Sequence, residues 1–159
     1  MDSAKPGDLI QIFRGTYEHW AIYMGGNKVV HLIPSSPYGN LGFLMDSSTA
    51  QVRCQNIWQV VRHDDFRINN LLDDEYEPRE RHLILRDAHR LVGQRLPYCI
   101  TTHNCEHFVT QLRYGKPESR QVKNVAVMGG VALAGVGIVA LGAALFSLLN
   151  EEDNKRRHK

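Results

Sequence analysis

The chain is short of cysteine, with three in 159 residues. Cys54, Cys99 and Cys105 are an odd, sparse set that does not describe a disulfide framework. None of them pairs in the close CxxC spacing of a zinc site. Net charge is scarce too: the formal balance is +2, so no global field points to nucleic acid. The opening "MDSAKPGDL" has no apolar core of the kind a signal peptide carries. These shortages together favour a reducing, cytosolic setting for a catalytic part.

One stretch lacks charge altogether. Residues 125–149, "VAVMGGVALAGVGIVALGAALFSLL", are 25 uncharged and mostly apolar positions. As a helix they would span roughly 37 Å at about 1.5 Å per residue. A hydrocarbon core is about 30 Å thick, so the length predicts a single-pass C-terminal anchor in an intracellular organelle membrane, with the catalytic domain in the cytosol. Basic residues flank both ends, so charge asymmetry gives no orientation. The expected organisation is a catalytic domain over 1–115, a linker over 116–124, the anchor over 125–149 and a charged tail over 150–159.

The part in front reads as α+β, an antiparallel sheet packed against helices. "GDLIQIFRG" (7–15) reads as a strand. Residues 19–26 and 28–33 read as a hairpin around Gly25, Gly26 and Asn27. Residues 50–61 read as a further strand. Residues 77–93 read as a helix, with Pro78 in its first turn and Gly93 at its end. Residues 104–115 read as a second helix, capped by Asn104 and ended by Gly115. The polar stretches 34–49 and 62–76 read as loops.

Loop parity in the hairpin decides whether His19 and His31 meet. Side chains alternate along a strand, so an odd-numbered loop puts both on one face. A three-residue loop over 25–27 sets His31 opposite Ala21, diagonal to His19. A loop centred on Gly25 sets the histidines directly opposite. A two-residue turn separates them across the sheet.

The segment "HNCEH" (103–107) raises three readings of Cys105: metal ligand, nucleophile or buried thiol. A metal reading needs His103, Cys105 and His107 to converge. If Cys105 begins a helix, His107 lies about 200° round the axis from it. That geometry forbids convergence and gives His107 a structural hydrogen bond instead. As a nucleophile, Cys105 gains from its position: free N–H groups and the dipole at a helix start favour a thiolate. His19 and His31 can then serve as base and orienter. The competing reading is a buried thiol with half-buried strand histidines. Cys54 and Cys99, away from any helix start, read as buried thiols.

"KPGDLIQIFR", "HWAIYMGGNKVVHL" and "NCEHFVTQLRYG" resemble the phospholipase A/acyltransferase family, also called HRAS-like suppressors. These are relatives of lecithin:retinol acyltransferase and of NlpC-type papain-like thiol hydrolases. The resemblance implies a circularly permuted papain-like fold with a C-terminal hydrophobic helix. It implies Cys105 as nucleophile, His19 as base and His31 as the orienting third member. Tyr17 matches an oxyanion-site position, with Asn104 in support. The implied reaction is metal-independent, cofactor-free acyl transfer from a glycerophospholipid such as phosphatidylcholine or phosphatidylethanolamine at a bilayer. A thioester on Cys105 would pass the acyl chain to water, to the phosphatidylethanolamine amine or to a lysophospholipid. Two other readings stand beside it. One is a cysteine peptidase or deconjugating enzyme; the other is a tail-anchored interaction protein without catalysis. Neither an oligomeric state nor a nucleic-acid partner follows from the sequence.

Overall fold

Period-two apolar patterning folds into one sheet with a core on each face. The computed structural model describes residues 3–34, 48–99 and 104–120. Strand β1 (Leu9–Arg14) pairs with β2 (Tyr17–Gly25), which pairs with β3 (Lys28–Pro34). β3 pairs with β4 (Ser48–Asn56), and β4 is followed by helix α1 (Ile57–Val61). Edge strand β5 (Phe66–Ile68) flanks β1, and β6 (Arg95–Tyr98) flanks β4. All pairings are antiparallel, in the order β5-β1-β2-β3-β4-β6.

Alternation sorts the side chains. Leu9, Trp20, Ile22, Val30, Leu32, Ala50 and Val52 form one face. Helices α2 (Arg81–Leu91) and α3 (Cys105–Tyr114) cover it with Ile84, Ala88, Phe108, Val109 and Leu112. Ile10, Ile12, Ala21, Tyr23 and Val29 form the other face, against Ile57, Val60 and Val61 of α1. Burial of this apolar area is the main favourable contribution to folding.

The hairpin closes with a two-residue turn, Gly26 and Asn27, between the paired Gly25 and Lys28, and a bulge between Tyr23 and Gly25 restores the offset that the three-residue loop was expected to give. Gly25, Gly26 and Asn27 all have positive φ, at 91°, 56° and 58°, which only glycine and asparagine adopt readily. The register is Ala21↔His31, with a bulge between Tyr23 and Gly25.

Several expected elements differ. The expected strand over 50–61 ends at Asn56, whose side chain accepts from the Trp58 N–H at 2.9 Å and turns the chain into α1. The expected helix over 77–93 begins only at Arg81. The reason lies in Arg79: its N–H bonds the Arg113 carbonyl at 2.8 Å and its guanidinium bonds Leu112 and Asp87, holding 77–79 against α3. The expected loop over 62–76 contains β5 and two buried leucines, Leu71 and Leu72.

The transmembrane expectation is corrected. Among the described residues no helix is long and apolar enough to cross a membrane. Residues 125–149 lie outside the described part. Among the described residues the architecture is a mixed α/β one, with a six-stranded antiparallel sheet and three helices. A single-pass C-terminal anchor, and the location inferred from it, are not supported.

Candidate active site

Helix α3 begins where its sequence says it should. Asn104 is extended, and its Oδ1 accepts from the N–H groups of Glu106 and His107, both at 3.0 Å. The His107 ring adds a contact from Nδ1 to the same oxygen at 2.9 Å. His107 is thus a buried capping residue at the third helical position, as its angle round the helix requires. Gly115 closes the other end with φ 73°. Cys105 becomes the first helical residue and is 5% exposed.

The sheet opens to receive its thiol. Tyr23 exchanges hydrogen bonds with Gly7 and Asp8, so odd-numbered residues of β2 direct their backbone groups toward β1. Even-numbered residues face β3. Pairing between β2 and β3 stops at Ala21↔His31, so the backbone groups of Glu18 and Trp20 point into the gap beyond. The Cys105 thiol fills that gap. It donates to the Glu18 carbonyl at 3.7 Å, and the Trp20 N–H reaches the sulfur. These two residues bracket His19. A cysteine on the helix side is thereby brought against the backbone of a histidine whose side chain leaves from the other face.

The two histidines meet edge to face. Nε2 of His19 lies 2.8 Å from Nδ1 of His31, with ring planes at 80°. His31 continues outward through Nε2, 2.8 Å from Oε1 of Gln55. Both steps are diagonal. Ala21 is the residue opposite His31, and Arg53 is the one opposite on β4, so His19 and Gln55 are each two residues on.

Electrostatics favour neutral forms throughout. Loss of water, the facing His31 and the Arg14 charge hold His19 down to about 3. Burial lowers His31 as well; its bond to Gln55 opposes this, while Arg14 and Arg53 reinforce it. Burial pushes the Cys105 thiol up to about 12, with the Glu106 carboxylate adding to it. The backbone N–H groups of Trp20, Cys105 and Glu106 act in the opposite direction but do not prevail. The helix-start donors thus favour the thiolate, and burial opposes them more strongly.

Comparison with known sequences decides the lineage. The family model for lecithin retinol acyltransferase matches residues 2–118. The chain belongs to the lecithin retinol acyltransferase family. It is 46% identical over 148 residues to human phospholipase A and acyltransferase 4, covering 91% of this chain and 90% of the relative. Mouse phospholipase A and acyltransferase 3 is 43% identical over 156 residues, covering 96% and 95%. Human phospholipase A and acyltransferase 2 is 41% identical over 155 residues, covering 95% and 94%.

In this lecithin retinol acyltransferase family chain, the structure pairs the rings of His19 and His31 and sets the Cys105 thiol against the backbone of Glu18 and Trp20, the residues on either side of His19. Tyr17 starts β2 and is 53% exposed, beside Tyr98. Asn104 is engaged in the cap, so its oxygen serves the helix turn. His103 lies outside the described residues. Cys54 is exposed and Cys99 half-buried, against the expectation that both are buried. Trp20 belongs to the core, whereas Phe13 is exposed beneath the Arg67 guanidinium. Among the described residues no three His, Cys, Asp or Glu side chains converge on a metal position. Two neighbours of the site escaped the sequence reading. Gln55 lay in a strand with no chemistry attached. Tyr98 lies on β6, an edge strand read as part of no element; burial, with Cys105 and Tyr17 near its hydroxyl, keeps it protonated.

Proposed function

We propose that this chain is a phospholipid-modifying enzyme, a phospholipase A and acyltransferase, that works through Cys105. Membership of the family and the names of the relatives support the activity and the substrate class. The observation that carries the site is the thiol lodged against the backbone of Glu18 and Trp20, the two residues that bracket His19, whose ring pairs with His31.

His19 takes the thiol proton as the sulfur attacks an acyl ester carbonyl of the glycerophospholipid. With thiol and imidazole both neutral at rest, the proton moves as the C–S bond forms. The oxyanion develops beside the Cys105 N–H; the Glu106 and His107 N–H groups are engaged by Asn104. Tyr17 is a second donor candidate for that oxyanion. His19 then gives its proton to the departing lysophospholipid oxygen, leaving an acyl thioester. Water, the amine of phosphatidylethanolamine or a lysophospholipid hydroxyl attacks the thioester and restores the thiol. His31 orients His19. The proposed catalytic unit, expected over 1–115, is taken through Arg120, since Glu118, Ser119 and Arg120 bond Thr110 and Glu106 of α3.

The test compares wild type with Cys105→Ser and His19→Asn on phosphatidylcholine vesicles, reading lysolipid and fatty acid by mass spectrometry. Both variants should lose lysolipid output, and wild type should carry a hydroxylamine-labile acyl adduct on Cys105. Equal lysolipid from wild type and Cys105→Ser would refute this assignment.

A further inference from the structure

The histidine pair does not end at His31. Its outer nitrogen meets the amide oxygen of Gln55 at 2.8 Å. An amide oxygen only accepts, so Nε2 of His31 must carry a proton. A neutral imidazole holds one N–H, so Nδ1 of His31 is then an acceptor. The nitrogen facing it, Nε2 of His19, must therefore be the donor across 2.8 Å. That leaves Nδ1 of His19 as the unprotonated nitrogen of the pair. One amide thereby determines two tautomers in series.

We propose that Gln55 is a positioning residue that selects Nδ1 of His19 as the proton acceptor for Cys105. This deepens the assignment of His19 as base and rests on it. The opposite amide orientation would reverse the series and leave Nδ1 of His19 protonated, unable to take the thiol proton. The terminus matters in charge as well as direction. A neutral amide gives His31 no counter-ion. The other ionisable groups that act on the pair are Arg14 from β1 and Arg53 from β4. Both arginines add to the neutrality of the imidazoles. A carboxylate at position 55 would keep the acceptor and add a charge that favours imidazolium.

Two variants separate these roles. Gln55→Met keeps the side-chain length and removes the oxygen. Its kcat on phosphatidylcholine should fall about tenfold or more, within the range for disturbed general-base catalysis, with KM unchanged. Gln55→Glu should recover most of kcat while its acid limb moves to higher pH, because its base protonates more readily. Wild-type kcat in Gln55→Met, or an unshifted pH profile in Gln55→Glu, would overturn the proposal. Should Gln55→Met fail to fold, ring nitrogen shifts of His19 in the wild-type protein decide instead. A proton on Nε2 supports the series, and one on Nδ1 ends it. His19→Asn run alongside keeps the two questions apart: if it stays active, the base assignment itself is wrong.

Discussion

The Cys105 sulfur donates to the carbonyl oxygen of Glu18, the residue that precedes His19. A thiol that donates is protonated, in keeping with the rise of its ionisation to about 12. Alkylation by iodoacetamide should therefore speed up steadily from pH 6 to pH 10. An ion-paired thiolate would instead react at a rate that levels off near neutrality. Such a plateau, measured by intact-mass kinetics at Cys105, would contradict the neutral resting pair.

Acid should weaken the fold through the same histidines. Free histidine titrates near 6.5, and His19 in the fold is held to about 3. Between those values the unfolded chain binds the extra proton, so stability falls as pH drops through that window. His31, lowered as well, adds to the effect. Urea midpoints should decline from pH 7 to pH 4, and decline less in His19→Asn, which has no imidazole there. An identical decline in both proteins would mean that other groups set the acid response.

Asn104→Ala should remove the cap on α3. Loss of such a cap costs about 1 kcal/mol, up to roughly 2. Here the loss falls on the turn that carries Cys105, so kcat should drop along with the unfolding free energy. Chemical denaturation paired with lysolipid assays reads both, and a stable, fully active variant would show that the cap does not hold the thiol.

Ser119→Ala addresses a buried carboxylate. Glu106 is fully buried and is held by the Ser119 hydroxyl and by the Arg120 N–H at 2.8 Å. Removing one partner of a buried polar group costs about 1–3 kcal/mol. The melting temperature should fall by several degrees. Ser119→Thr, which keeps the hydroxyl, should lie closer to wild type in calorimetry.

How much of this was legible in the sequence depended on how tightly the chain constrained each register. The short Gly25–Asn27 stretch kept β2 and β3 adjacent and the Ala21↔His31 register was among those it allowed, but the turn itself has two residues and the bulge after Tyr23 is what sets His19 and His31 diagonally on one face. The capped start of α3 was equally local, written in Asn104 and the helix period. Gln55 was out of reach because residues 35–47 separate β3 from β4 in the sequence, too many for loop parity to define their offset. β6 contains Pro97 and spans four residues, too short for alternation to emerge. The late start of α2 depends on Arg79 meeting the far end of α3, a contact between segments that no local pattern encodes.

The parting of β2 from β3 beyond Ala21↔His31 has a cost in regularity. Two more rungs of ladder there would satisfy the same backbone groups and leave the thiol with nowhere to sit. Substitutions that improve strand pairing at 18–20 or 32–34 should thus yield a sturdier protein with no chemistry. With Cys105 as the proposed nucleophile, the reactive place would be the interruption, and selection for activity would have to hold the sheet short of completion.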